Sequence, residues 1–184
     1  MSEVPDRDHC AVLLIDYQEL LFNAMPEAIR DANLHQATVL LRGARVLDLP
    51  VIVTEQYPRG LGPTLGPLRG ACEDMRPYPK LEFSVAEVEG VISDLKRLGT
   101  KTILIAGMET HICVLQSVQA LQKQGFTCHV MADAVLSRHR MNWERGLALC
   151  EAEGAVISTV ETALFQILGS ADADGFKAIS RMIR

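Results

Sequence analysis

Short, unbroken apolar runs alternate along the chain with longer stretches of helical periodicity. The clearest run is CAVLLI at Cys10–Ile15, which ends directly at Asp16. A run without polar interruptions is typical of a strand that is buried on both faces of a parallel sheet. Similar runs rich in β-branched residues predict four more core strands, at 51–54, 102–106, 126–131 and 155–157.

The intervening segments have apolar residues at helical spacing. They predict helices at 34–47, 85–98, 112–124 and 142–153, and two more helices over 159–184 that are separated near Gly169. Two of these segments are followed by glycine, at Gly125 and Gly154, which is the residue favoured just past a helix end. Strands that alternate with helices of this length predict an α/β fold with a parallel sheet covered on both faces.

Length and composition restrict the class of protein further. The chain has 184 residues, of which 48% are hydrophobic and 22% charged, so we expect a single globular domain over residues 1–184. The net charge is −5, which disfavours nucleic acid as a partner because phosphate binding needs a basic face. No apolar run is long enough to cross a membrane, and residues 1–9 are polar. We therefore expect a cytoplasmic protein, with its five scattered cysteines reduced.

One segment, 57–79, departs from the alternating pattern because it is rich in proline and glycine. We expect a long ordered loop here, since it also contains Tyr57, Leu61, Leu65 and Tyr78. In parallel α/β sheets, ligands bind beyond the carboxyl ends of the strands, where this loop would lie. The preferred interpretation is a pocket wall, and the alternative is a plain connector.

Three residues along the chain are candidates for chemistry. Asp16 ends the first strand, Lys80 follows the proline-rich segment, and Cys113 lies at the start of a predicted helix. A helix N-terminus favours a thiolate, Asp16 is suited to accept the thiol proton, and Lys80 is suited to balance charge. Each also has an ordinary structural interpretation, as a small buried residue, a helix cap and a solvated lysine.

These residues also carry a resemblance to a known family. Asp16 in LLIDYQ, Lys80 in PKLEFS and Cys113 in GMETHICV, in that order, resemble the Asp-Lys-Cys triad of the isochorismatase-like cysteine hydrolases. The likeness extends through VIVTEQYPRGLG and ADAVLSR and covers the chain from about residue 10 to 165. Within the family the chain resembles the isochorismatase domain-containing proteins that carry the TEQYP segment.

The resemblance implies a six-stranded parallel sheet in a three-layer α/β/α sandwich. It also implies cleavage of a C–N bond in a small amide through a thioester on Cys113, with Asp16 as general base and then acid and Lys80 as electrostatic partner. Backbone amides near Glu109 and Cys113 would stabilise the oxyanion, and the Met108–Glu109 peptide bond would be cis. The resemblance also implies that the chain forms a homo-oligomer, as a dimer or a larger ring.

The substrate-binding candidates are Gln18, Phe22, Gln56, Tyr57, Phe83 and Thr110. Phe22 is equally well explained by core packing, and the glutamines by solvent exposure. Nicotinamidases of the same superfamily hold a metal through an Asp and histidines after the second strand, but Gln56 and Tyr57 stand there in this chain. We therefore expect no metal and no cofactor, although His111 and Cys113 are possible zinc ligands by type.

Two other functions stay open at this stage. One is a catalytically silent binding or scaffold protein in which the segment 57–79 closes the pocket. The other is a thiol redox sensor that uses Cys113, which is weakened because no resolving cysteine lies beside it in the sequence.

Overall fold

Six parallel strands form the centre of the structure, a computed structural model that describes residues 4–72 and 74–183. The strands are β1 (Cys10–Ile15), β2 (Val51–Gln56), β3 (Tyr78–Lys80), β4 (Thr102–Met108), β5 (Thr127–Leu136) and β6 (Val156–Ser158). Their order across the sheet is β3-β2-β1-β4-β5-β6. The first three strands extend the sheet from β1 to one edge, and the last three extend it from β1 to the other edge. The predicted fold class is confirmed.

Helices cover both faces of this sheet. They are α1 (Glu19–Asn23), α2 (Glu27–Val46), α3 (Pro58–Leu61), α4 (Gly66–Ala71), α5 (Glu89–Arg97), α6 (Leu115–Lys123), α7 (Arg140–Ala152), α8 (Val160–Leu168) and α9 (Phe176–Ile183). A π-helical turn, Thr110–Val114, leads into α6. The split of the C-terminal segment into two helices is also confirmed, and α8 ends at Gly169 in the left-handed conformation.

Strand β1 explains the three layers, since all six of its residues are buried. Val12 and Leu14 pack into one hydrophobic cluster with residues of α2 and α8, whereas Leu13 and Ile15 pack into a second cluster with residues of α5 and α6. Alternate residues of a strand point to opposite faces, so one apolar run supplies both cores.

The segment 57–79 is more regular than the predicted loop. It contains the short helices α3 and α4, and its last two residues belong to β3, which pairs with β2 at the edge of the sheet. Proline at the first or second position of a helix is compatible with a short helix, because the N–H groups of the first turn have no partner within the helix. A three-residue strand that contains Pro79 carries too little apolar pattern to be recognised from sequence, and an edge strand tolerates proline.

Several predicted boundaries were also wrong. Helix α2 begins at Glu27 rather than at 34, and β5 extends five residues beyond 131 to Leu136. The pairing of β4 with β5 shifts register between Ile105 and Gly107, so β5 accommodates extra residues at that point. No helix among the described residues is long and apolar enough to span a membrane.

Candidate active site

Asp16 lies at the carboxyl end of β1 in a left-handed backbone conformation, with φ of 54°. Aspartate tolerates this conformation better than most residues. The side chain has no solvent exposure, and Thr54 on the neighbouring strand β2 donates a hydrogen bond of 2.8 Å to its Oδ1. The carboxylate is therefore held between the first two strands of the sheet.

Gly107 on β4 lies beside the end of β1, where the space requires a residue without a side chain. Its φ is +153°, and a Cβ atom built on it would lie 2.4 Å from the backbone oxygen of Ile15. No side chain fits that gap without moving β1, which carries Asp16 directly after Ile15. The close approach of the two strands therefore fixes the position of Asp16.

Lys80, the last residue of β3, has its ammonium buried against the same carboxylate. Its Nζ donates to Asp16 Oδ2 and to Gln56 Oε1, each at 2.6 Å, and also contacts the backbone oxygens of Glu82 and Phe83 at 3.2 Å. The side chains of Lys80 and Asp16 are both fully buried. The alternative of a solvated surface lysine is therefore wrong.

Cys113 lies in the π-helical turn that follows β4 and is 6% exposed. Its thiol is close enough to Asp16 and Lys80 for each of them to change its pKa. Ser117, one turn further along, donates to the backbone oxygen of Cys113 at 2.5 Å and accepts from the backbone N–H of Val85 at 3.1 Å. The turn that carries Cys113 is thereby connected to the segment that follows Lys80.

The electrostatics of this cluster differ from the sequence-based expectation. Burial and the nearby negative charge of Asp16 raise the pKa of the Cys113 thiol to about 12, although Lys80 pulls it in the opposite direction. Burial also raises the pKa of Asp16, against the opposing effects of Lys80 and Thr54. The expected resting thiolate is therefore wrong, because desolvation outweighs the lysine's charge.

Beside the thiol, the Met108–Glu109 peptide bond is cis, and both residues are buried. Glu109 accepts hydrogen bonds from the backbone N–H of Arg138 at 2.9 Å and from its guanidinium at 3.0 to 3.1 Å. Burial alone would raise the pKa of Glu109, but these bonds from Arg138 hold it below its usual value. The carboxylate therefore remains charged inside the protein.

Thr110 is fully buried, and its Oγ1 has no hydrogen-bond partner among the described residues. A buried hydroxyl without a partner is unfavourable, because it loses its hydrogen bonds to water and gains none in the protein. Because the residue is three positions before Cys113, it remains a candidate contact for a ligand.

Two of the predicted substrate contacts are engaged by the protein itself. The side-chain amide of Gln18 donates both of its hydrogens, to the backbone oxygens of Gln56 and Gly62. Its oxygen accepts from the backbone N–H of Gln56. The amide of Gln56 donates to Leu81 and accepts from Lys80. Gln18 therefore connects the segments that follow β1 and β2, and Gln56 positions the lysine.

The three predicted aromatic contacts lie in two different environments. Phe22 is 7% exposed and belongs to the hydrophobic cluster on the α2 side of the sheet. Tyr57 and Phe83 are 52% and 51% exposed. Both are attached to the segments that hold Lys80, since the N–H of Tyr57 bonds to the Lys80 backbone oxygen and the Phe83 oxygen accepts from its ammonium. Core packing accounts for Phe22, and only the other two are accessible to a ligand.

Among residues 4–72 and 74–183, no three His, Cys, Asp or Glu side chains are grouped as a metal site requires. The Nδ1 atom of His111 lies 3.1 Å from the hydroxyl of Ser137.

Sequence reasoning missed two polar residues that organise the site, Thr54 and Ser117. Thr54 was predicted as the last residue of a strand, but β2 continues to Gln56. Thr54 pairs with Ile15, the residue before Asp16, and this place in the sheet was the available signal. Ser117 lies four residues after Cys113, on one face of a helix, and bonds the carbonyl of that residue.

An open parallel α/β sandwich with a buried carboxylate, lysine and cysteine at the carboxyl ends of β1, β3 and β4 has the organisation of an enzyme of the open-sheet α/β class. Comparison with known proteins narrows that class. A family model described as the isochorismatase domain matches residues 10–162, which is most of the chain. The chain belongs to the isochorismatase family.

Two curated relatives and one solved structure illustrate the similarity. Isochorismatase domain-containing protein 2 of Xenopus laevis is 37% identical over 149 residues, which are 80% of this chain and 71% of the relative. Isochorismatase domain-containing protein 1 of Salmo salar is also 37% identical, over 79% of this chain, but the chain spans only about half (51%) of that relative's length. The structure of MAR1 ribonuclease from Caenorhabditis elegans superimposes with a TM-score of 0.92 at 29% identity, over 97% of this chain and 91% of that one.

Proposed function

We propose that the protein is a metal-independent cysteine hydrolase that cleaves the C–N bond of a small carboxamide. The observation that carries this proposal is the meeting of Asp16, Lys80 and Cys113 in one buried cluster at the carboxyl edge of the sheet. A nucleophile, a proton acceptor and a fixed positive charge are the minimum set for acyl transfer.

In the first half of the reaction, the Cys113 sulfur attacks the amide carbon while the thiol proton passes to Asp16. A thiol with a pKa of about 12 is almost entirely protonated at neutral pH, so proton transfer has to accompany the attack. The raised pKa of Asp16 makes it a stronger base for this step. The C–N bond then breaks, the departing amine takes the proton from Asp16, and a thioester remains on Cys113.

In the second half, water attacks the thioester carbon and Asp16 accepts one of its protons. The C–S bond breaks, the sulfur recovers a proton from Asp16, and a carboxylic acid leaves. Lys80 keeps its positive charge throughout, which stabilises the ionised Asp16 and opposes the cost of negative charge on sulfur.

Each tetrahedral intermediate places negative charge on the former carbonyl oxygen. Backbone N–H groups near Glu109 and Cys113 are the proposed oxyanion donors, next to the Met108–Glu109 bond. For the rest of the substrate, we propose contacts with the unpartnered Thr110 hydroxyl and with the rings of Tyr57 and Phe83.

The test is a screen of small primary and secondary amides for release of ammonia or amine by the purified protein. For any amide that is turned over, Cys113→Ala should abolish the activity, whereas Cys72→Ala should retain it because Cys72 lies outside the cluster and is half-buried. Trapping of an acyl adduct on Cys113 by intact-protein mass spectrometry would support the thioester. Full turnover by Cys113→Ala would refute the proposal.

A second candidate is a binding or scaffold protein of the same fold without physiological turnover. The observation that favours it is the burial of Cys113, which is only 6% exposed, together with the raised pKa of its thiol. Failure of both the amide screen and acyl trapping, in a protein whose Cys113 still reacts with iodoacetamide, would favour this candidate over the hydrolase.

We do not propose RNA as a substrate, although the similar C. elegans protein is described as a ribonuclease. The chain carries a net charge of −5, and Lys80 is already paired with Asp16. Homo-oligomers remain a prediction, which light scattering tests directly because the monomer has a mass of 20.2 kDa.

A further inference from the structure

The turn that carries Cys113 is held from the side of β5 and α7 by groups outside the proposed triad. Arg138 makes its several hydrogen bonds to Glu109 at the start of the turn, and the Ser137 hydroxyl lies 3.1 Å from His111 Nδ1. Helix α7 presses on the same turn, because a Cβ atom at Gly146 would lie 2.8 Å from the backbone nitrogen of His111.

The buried carboxylate of Glu109 is stabilised in its position by Arg138. Its side chain is 5% exposed, whereas that of Arg138 is 52% exposed, so the guanidinium covers the carboxylate from the solvent side. A buried carboxylate that loses its cationic partner is strongly disfavoured and has to move or take up a proton. The conformation of Glu109 is thus coupled to Arg138.

Glu109 is also the anchor for the backbone of the turn. Its carbonyl oxygen accepts hydrogen bonds from the N–H groups of Ile112 at 3.0 Å and Val114 at 3.3 Å, the two residues that flank Cys113. A rotation at Glu109 would therefore displace the backbone on both sides of the sulfur. Displacements of about 1 Å are enough to lower an enzymatic rate by about 100-fold.

We propose that Arg138 is a positioning residue, which holds Glu109 and thereby the backbone that presents Cys113 and the oxyanion amides. The consequence for catalysis rests on the proposed hydrolase function, but the coupling of Arg138 to the turn does not. The two parts are therefore tested by different measurements.

The coupling is tested by hydrogen–deuterium exchange of a peptide that covers residues 109–114, in Arg138→Gln, Arg138→Lys and wild type. The matched control is Arg140→Gln, since Arg140 also pairs with a glutamate, Glu144 at 2.7 Å, but is 86% exposed and forms this pair within α7 rather than with the turn. We expect exchange of this peptide to be about 10-fold faster in Arg138→Gln, intermediate in Arg138→Lys, and unchanged in Arg140→Gln. Lysine retains the charge but cannot reproduce the forked contact.

Exchange at wild-type rates in Arg138→Gln would overturn the proposal, as would an equal acceleration throughout the protein, which would indicate general destabilisation. With an amide that is turned over, we expect kcat of Arg138→Gln to fall about 10-fold with KM changed less than about 3-fold. An unchanged kcat in a variant with a loosened turn would also overturn it. If wild type turns over no amide while the exchange pattern is as expected, the hydrolase proposal fails and the coupling stands.

Discussion

Lys80 and Asp16 form an ion pair of 2.6 Å in which neither side chain has any exposure to solvent. Each charge is tolerated in the interior because the other is present, and because Thr54 and Gln56 supply the remaining hydrogen bonds. The pair therefore links the stability of the protein to the chemistry of its proposed site.

Replacing Lys80 by methionine should destabilise the protein by about 3 to 5 kcal/mol, since a buried carboxylate loses its partner. The double variant Lys80→Met with Asp16→Asn should be destabilised by less than the sum of the two single variants, because it leaves no buried charge. Urea unfolding of the three variants and wild type measures this coupling. Additive effects would contradict a mutual dependence.

The pH profile of kcat/KM should report the raised pKa of Asp16. As the proposed base, Asp16 has to be ionised, so activity should fall as the pH drops through its pKa. Burial places that pKa above the ordinary value of 3.8. Thr54→Val removes a hydrogen bond that lowers it and should move the acidic limb to still higher pH.

Thr38→Val is the control for the Thr54 substitution, because it removes a hydroxyl bonded only to the Leu34 carbonyl within α2. It should leave the acidic limb where it is in wild type. A limb at or below pH 3.8 in wild type, or one that Thr54→Val does not move, would exclude Asp16 as the group that titrates.

Alkylation by iodoacetamide should distinguish the cysteines. Cys10, Cys128 and Cys150 are buried and should stay unlabelled in the folded protein. Cys113 should react with a rate that still rises with pH above 9.0, the ordinary thiol pKa, because its own pKa is about 12. Asp16→Asn should lower that apparent pKa, since it removes a negative charge next to the thiol.

Peptide mass spectrometry of the alkylated protein gives the rate for each cysteine. An apparent pKa of Cys113 below 9.0 in wild type would contradict the electrostatics described above, and so would an upward shift in Asp16→Asn.

Substituting Gly107 by alanine should destabilise the protein by several times the effect of Gly99→Ala. Both glycines have positive φ, but a Cβ at Gly107 would collide with the backbone of Ile15, whereas nothing lies within 4 Å of one at Gly99. A strained φ alone costs about 1 kcal/mol or slightly more. Thermal unfolding of the two variants separates strain from collision, and equal losses of stability would argue against a tight contact between β1 and β4.

The sequence contained most of the fold because its buried strands are continuous apolar runs. Cys10–Ile15 was predicted with its observed bounds, and the three candidate catalytic residues were recognised from their places at strand and helix ends together with a family resemblance. What escaped prediction depends on long-range contacts. β3 is defined by pairing with β2, and the pKa of Cys113 depends on burial, which neighbouring residues in sequence do not determine.

Long-range contacts also explain why the structural role of Gln18 was not predicted. A glutamine close to a strand end is compatible with substrate binding, but only the folded chain brings the backbone of Gln56 and Gly62 within its reach. The pairing of Arg138 with Glu109 could not be predicted either, because the two residues are 29 positions apart and no local pattern indicates the pair.

The ammonium of Lys80 faces four oxygen atoms from different parts of the chain and has only three hydrogens to offer them. Loss of one proton would leave two hydrogens for the four oxygens, so two of them would have no hydrogen of their own. In the proposed reaction the two charged groups therefore have separate roles. Asp16 accepts and donates every proton that is transferred, whereas Lys80 keeps its positive charge in a fixed position.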